Sequence, residues 1–354
     1  MLGADSLLGK ALVRLLVKQG IEHRALGRAD FQLLKKMEVV RLFTKQSPTQ
    51  VIHTAIHTTA EKMESDPHEA ERCDIINSRG MSTLAEVCSQ LNIPLIHHSG
   101  SLVFDGNKTH PYLETDETNP VSRYGKSLWF AERSIRDTLA SHVILRTDWV
   151  FSTDNPDFFR RHIEVCKKNK GKLDVMNMRF SPTPAQDLAR VVLAIANQID
   201  CAADAWGTYH YCAQQPLSQE YFVEHFLQEA SRYDPALEKT LPALQITKLP
   251  VQLPYIGNTV LGCQHIFETF GIKQRTRSAE LVALIQKLYN LQPEEAPELL
   301  VEGFDDRENS RAEEKKAKIA AETKGEKPKK RVRKPADSPR PARKAAGQKG
   351  SPHS

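Results

Sequence analysis

The first residues in the chain with types and spacing suited to chemistry are Gly3-Ala-Asp-Ser-Leu-Leu-Gly9. They put glycine at the first and third positions of a G-x-x-G-x-x-G spacing, with Ser6 in the middle, and open directly into an apolar helix. A turn of small residues lets the backbone N–H groups of Ser6, Leu7, Leu8 and Gly9, and the positive end of the helix, approach a pyrophosphate. The next apolar run ends in Leu26-Gly27-Arg28, where an acidic residue would instead hold a ribose 2′-hydroxyl. Arg28 can meet a 2′-phosphate, so the pattern favours NADPH, with NADH possible. Both features also have plain readings, a common glycine-flanked helix start and a solvated loop arginine. The six cysteines show no C-x-x-C pair and no histidines at metal-like spacing, which predicts reduced, mostly buried thiols and no metal.

A second set of residues lies mid-chain. His97-His98-Ser-Gly-Ser-Leu-Val-Phe-Asp-Gly106 is followed by Glu114-Thr-Asp-Glu-Thr-Asn-Pro120 and by Ser122-Arg-Tyr-Gly-Lys-Ser-Leu-Trp-Phe-Ala-Glu132. In order and spacing these resemble the S-T-D-Y-V-F-D-G, E-T-D-x-x-x-P and Y-G-x-x-K-x-x-x-E blocks of the dTDP-4-dehydrorhamnose reductases, extended short-chain dehydrogenases that bind a sugar nucleotide. Thr54-Ala-Ile-His-Thr-Thr-Ala-Glu-Lys-Met-Glu64 is similar to the family's A-A-x-H-T-x-V-D-x-x-E segment. Arg146-Thr-Asp-Trp-Val-Phe151 and Ser181-Pro-Thr-Pro-Ala-Gln-Asp-Leu-Ala189 resemble its R-T-x-W-V-Y and x-P-T-x-x-x-D-L-A blocks. The resemblance implies that Thr54, Ala55, His57 and Thr58 line the nicotinamide end of a cofactor site. It also implies that Tyr124 donates a proton to the substrate carbonyl, and that Glu64, Phe104, Trp149 and Thr183 sit near a dTDP-sugar. The chemistry agrees: hydride delivery to a ketone leaves an oxyanion, and a phenol placed there needs its pKa lowered, normally by a lysine ammonium.

Three departures from the pattern bear on turnover. The lysine of Y-x-x-x-K falls one helical turn after the tyrosine, and that position here is Leu128; Lys126, two residues from Tyr124, points elsewhere on a helix. The substrate-polarising threonine is replaced by Gly100. Ser99 and Ser101 flank it and are the remaining candidate catalytic hydroxyls, although adjacent strand residues face opposite sides. The R-P that starts the family's C-terminal substrate block is Leu253-Pro254, which removes a cation able to meet a diphosphate. A degenerate catalytic set is therefore expected, and a non-catalytic regulatory subunit binding NADP and a sugar nucleotide on the same fold is the alternative.

The elements that must position these residues alternate in type. Candidate strands Glu22–Leu26, Gln50–Thr54, Pro94–His98 and His142–Arg146 are separated by helical patterns such as Leu8–Gln19 and Ala70–Leu91. This is the order of a Rossmann-type, doubly wound parallel α/β sheet over residues 1–150. Helices near Phe158–Asn169, Ala185–Gln198 and Gln219–Tyr233 and a strand near Leu173–Met176 predict a smaller C-terminal substrate lobe over 151–292, with interleaved segments. Only Met1 and Leu2 precede Gly3, where a dinucleotide fold needs a buried strand, so the first strand reads as truncated, with the true start upstream of Met1.

The net charge of +5 is unevenly spread. From Val301 onward there are 16 Lys and Arg against 9 Asp and Glu, leaving 33 against 35 before it. The body is near neutral, and the basic character belongs to a segment, 293–354, too poor in large apolar residues to offset its ordering entropy. A disordered basic tail that binds polyanions non-specifically is expected. No apolar stretch approaches the roughly 20 residues that span a bilayer, so a cytoplasmic protein with no membrane partner is the expectation, with a homodimer as a candidate assembly.

Overall fold

Central strands of a parallel sheet must be apolar on both faces, and His142–Thr147, buried at all six positions, meets that condition. The computed structural model describes residues 1–28, 30, 33–55 and 60–292. Its strands are β1 (Val51–His53), β2 (Leu95–Gly100), β3 (His142–Thr147), β4 (Val150–Phe151), β5 (Lys172–Met176), β6 (Arg179–Phe180), β7 (Thr183–Pro184), β8 (Gly207–Tyr211), β9 (Leu217–Ser218) and β10 (Gln245–Leu249). Its helices are α1 (Leu7–Lys18), α2 (Lys36–Gln46), α3 (Ala60–Ser65), α4 (Pro67–Cys73), α5 (Gly80–Leu91), α6 (Arg123–Thr138), α7 (Asp157–Lys168), α8 (Ala185–Asp200), α9 (Gln219–Ser231), α10 (Pro235–Thr240), α11 (Gln264–Phe270) and α12 (Ser278–Tyr289). His57, Thr58 and the basic segment 293–354 lie outside the described residues.

The main sheet runs β1-β2-β3-β8, all parallel, with His53 opposite His97 and Gly100 opposite Thr147. Leu2 extends it by bridging His53 on one side and Leu26 on the other. The strand expected over Glu22–Leu26 is thus reduced to Leu26. Its partner is so short that the pairing consists of the Met1 amino group to Arg24 O, Leu26 N–H to Met1 O, and the Gly3 and Ala4 N–H groups to Leu26 O.

Alternation along the strands divides the core between two faces. Ile52, Ile96, Val143 and Leu145 pack with α1 and α8 on one face, while Val51, Leu95 and Ile144 pack with α5 and α6 on the other. The helix expected from Ala70 to Leu91 is a longer run, α4 through α5, interrupted by a π-helical turn at Asp74–Arg79. A separate apolar cluster joins α7, β5, α9 and α12 around Phe159, Phe222 and Leu284. The two parts interleave along the chain, since α8 and β8 follow the second lobe's first helix and strand yet complete the first core.

Candidate functional site

At the carboxyl ends of β1, β2 and β3 a continuous cleft of about 1760 Å³ passes from the glycine turn to the second lobe. Pockets that hold one drug-sized ligand measure roughly 300–1,000 Å³, so this cleft has room for two. The carboxyl edge of a doubly wound sheet is where such folds bind ligands.

The glycine turn borders one end of this cleft. Gly3 has φ +94°, and a Cβ on Gly9 would lie 1.9 Å from Gly3 O, so the helix can meet the loop this closely only without a side chain. Ser6 caps α1 by accepting the Gly9 N–H at 2.9 Å and donates to Thr54 Oγ1 at 3.1 Å; Thr54 in turn donates to Gly3 O at 3.0 Å. Thr54 therefore braces the turn from β1. Gly3, Ser6, Leu7, Leu8, Arg28, Thr54 and Ala55 all border the cleft, and Lys10, not anticipated from the sequence, joins them. Arg28 is exposed, and its backbone N–H donates to Asp5 Oδ2 at 3.2 Å.

Tyr124 stands in the first turn of α6. Ser122 caps that helix through the Gly125 N–H at 2.9 Å, and Glu64 accepts the Arg123 N–H at 2.7 Å. A Cβ on Gly125 would lie 2.2 Å from Leu102 O, so the glycine after the tyrosine lets α6 sit directly on the loop after β2. Tyr124 is half-buried at the cleft wall, and its hydroxyl has no hydrogen-bond partner among the described residues. Burial, and then the neighbouring Cys73 and Tyr255, push its pKa well above the usual tyrosine value.

Leu128 lies one turn on, 1% exposed, within the apolar core of the first lobe, while Lys126 is exposed. A Cβ on Gly100 would meet Leu128 Cδ1 at 3.3 Å. The two departures from the family pattern are thus one feature: an isobutyl group fills the space beside a position that has no side chain. The flanking hydroxyls are engaged elsewhere. Ser99 Oγ donates to the buried Glu132 at 2.6 Å, which is also held by Arg146, and Ser101 Oγ donates to Asp148 at 3.1 Å.

Not every candidate substrate residue reaches the cleft. Trp149 borders it and stacks among Phe151 and Phe158. Phe104 is fully buried, stacked on Tyr112 at 4.2 Å, and Thr183 is fully buried, accepting the Ala213 N–H at 3.1 Å. Neither borders the cleft, and Glu64 serves the start of α6 instead. Sequence reasoning passed over Asp148, although it stands inside the block Arg146–Phe151. It also passed over Tyr255, which borders the cleft and donates to Glu61 at 2.6 Å across a separation of 194 residues that no local pattern reveals. Among the described residues no group of His, Cys, Asp and Glu could hold a metal ion.

A family model for the RmlD substrate binding domain matches residues 1–290. The dTDP-4-dehydrorhamnose reductase of Sinorhizobium fredii is 30% identical over 257 residues, which covers 72% of this chain and 85% of that protein. The reductase of the same name from Aggregatibacter actinomycetemcomitans is 29% identical over 276 residues, covering 77% of this chain and 92% of its own length. Among solved structures, a dTDP-4-dehydrorhamnose reductase from Clostridium acetobutylicum superposes with a TM-score of 0.62 at 25% identity, over 82% of this chain and 96% of that one. The Bacillus anthracis reductase, solved in complex with NADP, gives 0.66 at 20% identity over the same shares. The fold, the glycine turn, helix α6 with Tyr124 in its first turn and these matches agree, and the chain belongs to the RmlD substrate-binding-domain family of dTDP-4-dehydrorhamnose reductases.

Proposed function

We propose that this protein binds NADPH and a dTDP-sugar in the cleft as the family's reductases do, and that it reduces the sugar ketone slowly. The packing of Leu128 against Gly100 carries this reading, because it fills with hydrocarbon the place where a lysine ammonium and a threonine hydroxyl would act.

The residues present fit the cofactor. Gly3 in the turn and Gly9 in α1 let the loop and the helix start pack closely, so the Leu7 and Leu8 N–H groups can meet a pyrophosphate, and Lys10 and Arg28 supply positive charge for a 2′-phosphate. NADPH, when bound, supplies the hydride. The chain's own part is to hold the ketone beside the nicotinamide end of the cleft and to move one proton to its oxygen. Tyr124 holds that proton, but burial keeps it bound, and no cation stands one turn along to favour the phenolate. Losing such a positioned proton-transfer arrangement costs on the order of 10² to 10⁴ in rate.

The apolar filling also favours a second reading, a binding or regulatory subunit that has kept the ligand sites. Calorimetry with NADPH and dTDP, followed by a turnover assay, separates the two. Binding of both with slow turnover supports the first reading, binding with none supports the second, and absence of binding overturns both. The basic segment after Val301 is proposed to add a non-specific attraction to polyanions that weakens with salt.

A further inference from the structure

The floor of the cleft carries a carboxylate that the Tyr124 region does not use. Asp148 follows β3, borders the cleft between Thr147 and Trp149, and is 7% exposed. It is held from three separate segments: Oδ2 accepts the Ser181 N–H at 2.5 Å and Thr259 Oγ1 at 3.0 Å, and Oδ1 accepts Ser101 Oγ at 3.1 Å. The Trp149 N–H also faces it, and burial pushes its pKa up to about 6.

A brace between these segments does not need a charge. Asparagine offers a carbonyl oxygen of the same shape, and burying an anion among neutral donors is costly. What a carboxylate adds is stronger hydrogen bonds from hydroxyl groups, and of the donors that meet its roughly four lone-pair sites Thr259 Oγ1 has a second acceptor in Arg179 O at 3.2 Å, so a ligand hydroxyl can take its place. The neighbourhood points the same way. In the block S-T-D-Y-V-F-D-G the first acidic letter falls on Ser101, and the Ser101 hydroxyl now donates to Asp148. The carboxylate at this spot comes from the end of β3 instead of the end of β2.

We propose that Asp148 is the sugar-recognising carboxylate of the cleft, accepting hydrogen bonds from hydroxyl groups of the hexose of a bound nucleotide-sugar. This rests on the nucleotide-sugar reading of the cleft. Asp148 is accordingly a specificity residue, and the nucleotide half of the ligand does not depend on it.

The test measures the affinity of the full chain for dTDP and for dTDP-L-rhamnose by calorimetry, in the wild type, in Asp148→Asn, and in the exchange Ser101→Asp with Asp148→Ser. The wild type should bind the sugar nucleotide more tightly than dTDP. Asp148→Asn should lose about tenfold or more for dTDP-L-rhamnose while dTDP affinity stays within about twofold, and the exchange should recover most of the loss. A parallel fall for both ligands, or no change for either, overturns the proposal in favour of a plain brace. If Asp148→Asn fails to fold, the exchange variant decides: recovered preference for dTDP-L-rhamnose supports the proposal, and loss of that preference with dTDP binding intact overturns it. A wild type that binds dTDP but does not distinguish the two ligands overturns this assignment alone, whereas one that binds neither overturns the nucleotide-sugar reading beneath it.

Discussion

The two ends of the cleft are built under opposite constraints. At the glycine turn the backbone is packed so closely that side chains have no room: the Gly9 position lies within 1.9 Å of Gly3 O, and Ser6 and Thr54 lock the loop through a chain of hydroxyl hydrogen bonds. At Tyr124 the backbone leaves room that a side chain has taken, with Leu128 lying against the bare Gly100. The first arrangement tolerates almost no substitution without losing the shape that admits a pyrophosphate. The second keeps helix α6, its cap and its tyrosine while discarding the polar groups that would make the tyrosine an effective acid. On the function proposed above, ligand binding and chemistry rest on different atoms and are separable.

The largest expected effect comes from restoring the polar groups. Leu128→Lys combined with Gly100→Thr should raise reductase turnover by about 10² or more, and adding Tyr124→Phe should remove the gain. Gly100→Thr alone should gain little, because its Cβ meets Leu128 Cδ1 at 3.3 Å while the leucine remains. Equal gains from each single variant would show that the two positions are not coupled.

At the other end, Gly9→Ala should lower NADPH affinity by tenfold or more and destabilise the fold by about 1–3 kcal/mol, the usual cost of forcing a methyl group into packed space. Its dTDP affinity, if the fold holds, should change much less. Calorimetry of both ligands on the same preparation checks the contrast, and a parallel loss would mean that the two ends are not independent.

The elements that sequence could announce were those fixed by local pattern. Helix α1 and strands β2 and β3 follow from periodicity, and the blocks around Tyr124 mark the start of α6. What stayed hidden depends on distant partners. β8 joins the main sheet and α8 packs on α1 although both follow the second lobe's first elements, and the strand expected at Glu22–Leu26 fails because its partner is nearly absent. In the site, Phe104 and Thr183 stand in quoted blocks yet turn inward, since a block records which residues are near a site and not which way they face. Asp148 was visible as a letter and acquires meaning only beside Ser101, Ser181 and Thr259.

A smaller effect sharpens the cofactor assignment. Arg28→Asp should reduce the NADPH to NADH affinity ratio by about tenfold, the scale of one exposed charge against a phosphate. An unchanged ratio would leave Lys10 as the phosphate ligand.

The fold itself should respond to acid. Burial, with His98 beside His97 and Arg146 beside His210, lowers His97 to about 3, His98 to about 4 and His210 to about 3, from an ordinary value near 6.5. The folded state keeps these rings neutral while the unfolded chain protonates them, so their stability is present above about pH 6.5 and is lost as pH falls towards 3 to 4. The limiting slope is about 1.4 kcal/mol per pH unit for each ring. Asp148, Glu114 and Glu280, which burial raises, work in the opposite sense, but His53, His142 and His162 are lowered as well and add to the three rings. Urea midpoints should therefore fall between pH 7 and pH 5, and a flat or rising profile would show the rings to be hydrated.

The most direct test of the central claim, that the cleft binds its ligands while its chemistry is disabled, is the turnover number of the wild-type chain at saturating NADPH and dTDP-4-dehydro-6-deoxy-L-mannose. A value of about 0.1 per second or less is expected, one hundredth or less of the ordinary enzyme value of about 10 per second. A measured turnover near 10 per second would contradict the account and show that Ser99, Ser101, Asp148 or Lys126 supplies what Leu128 and Gly100 lack.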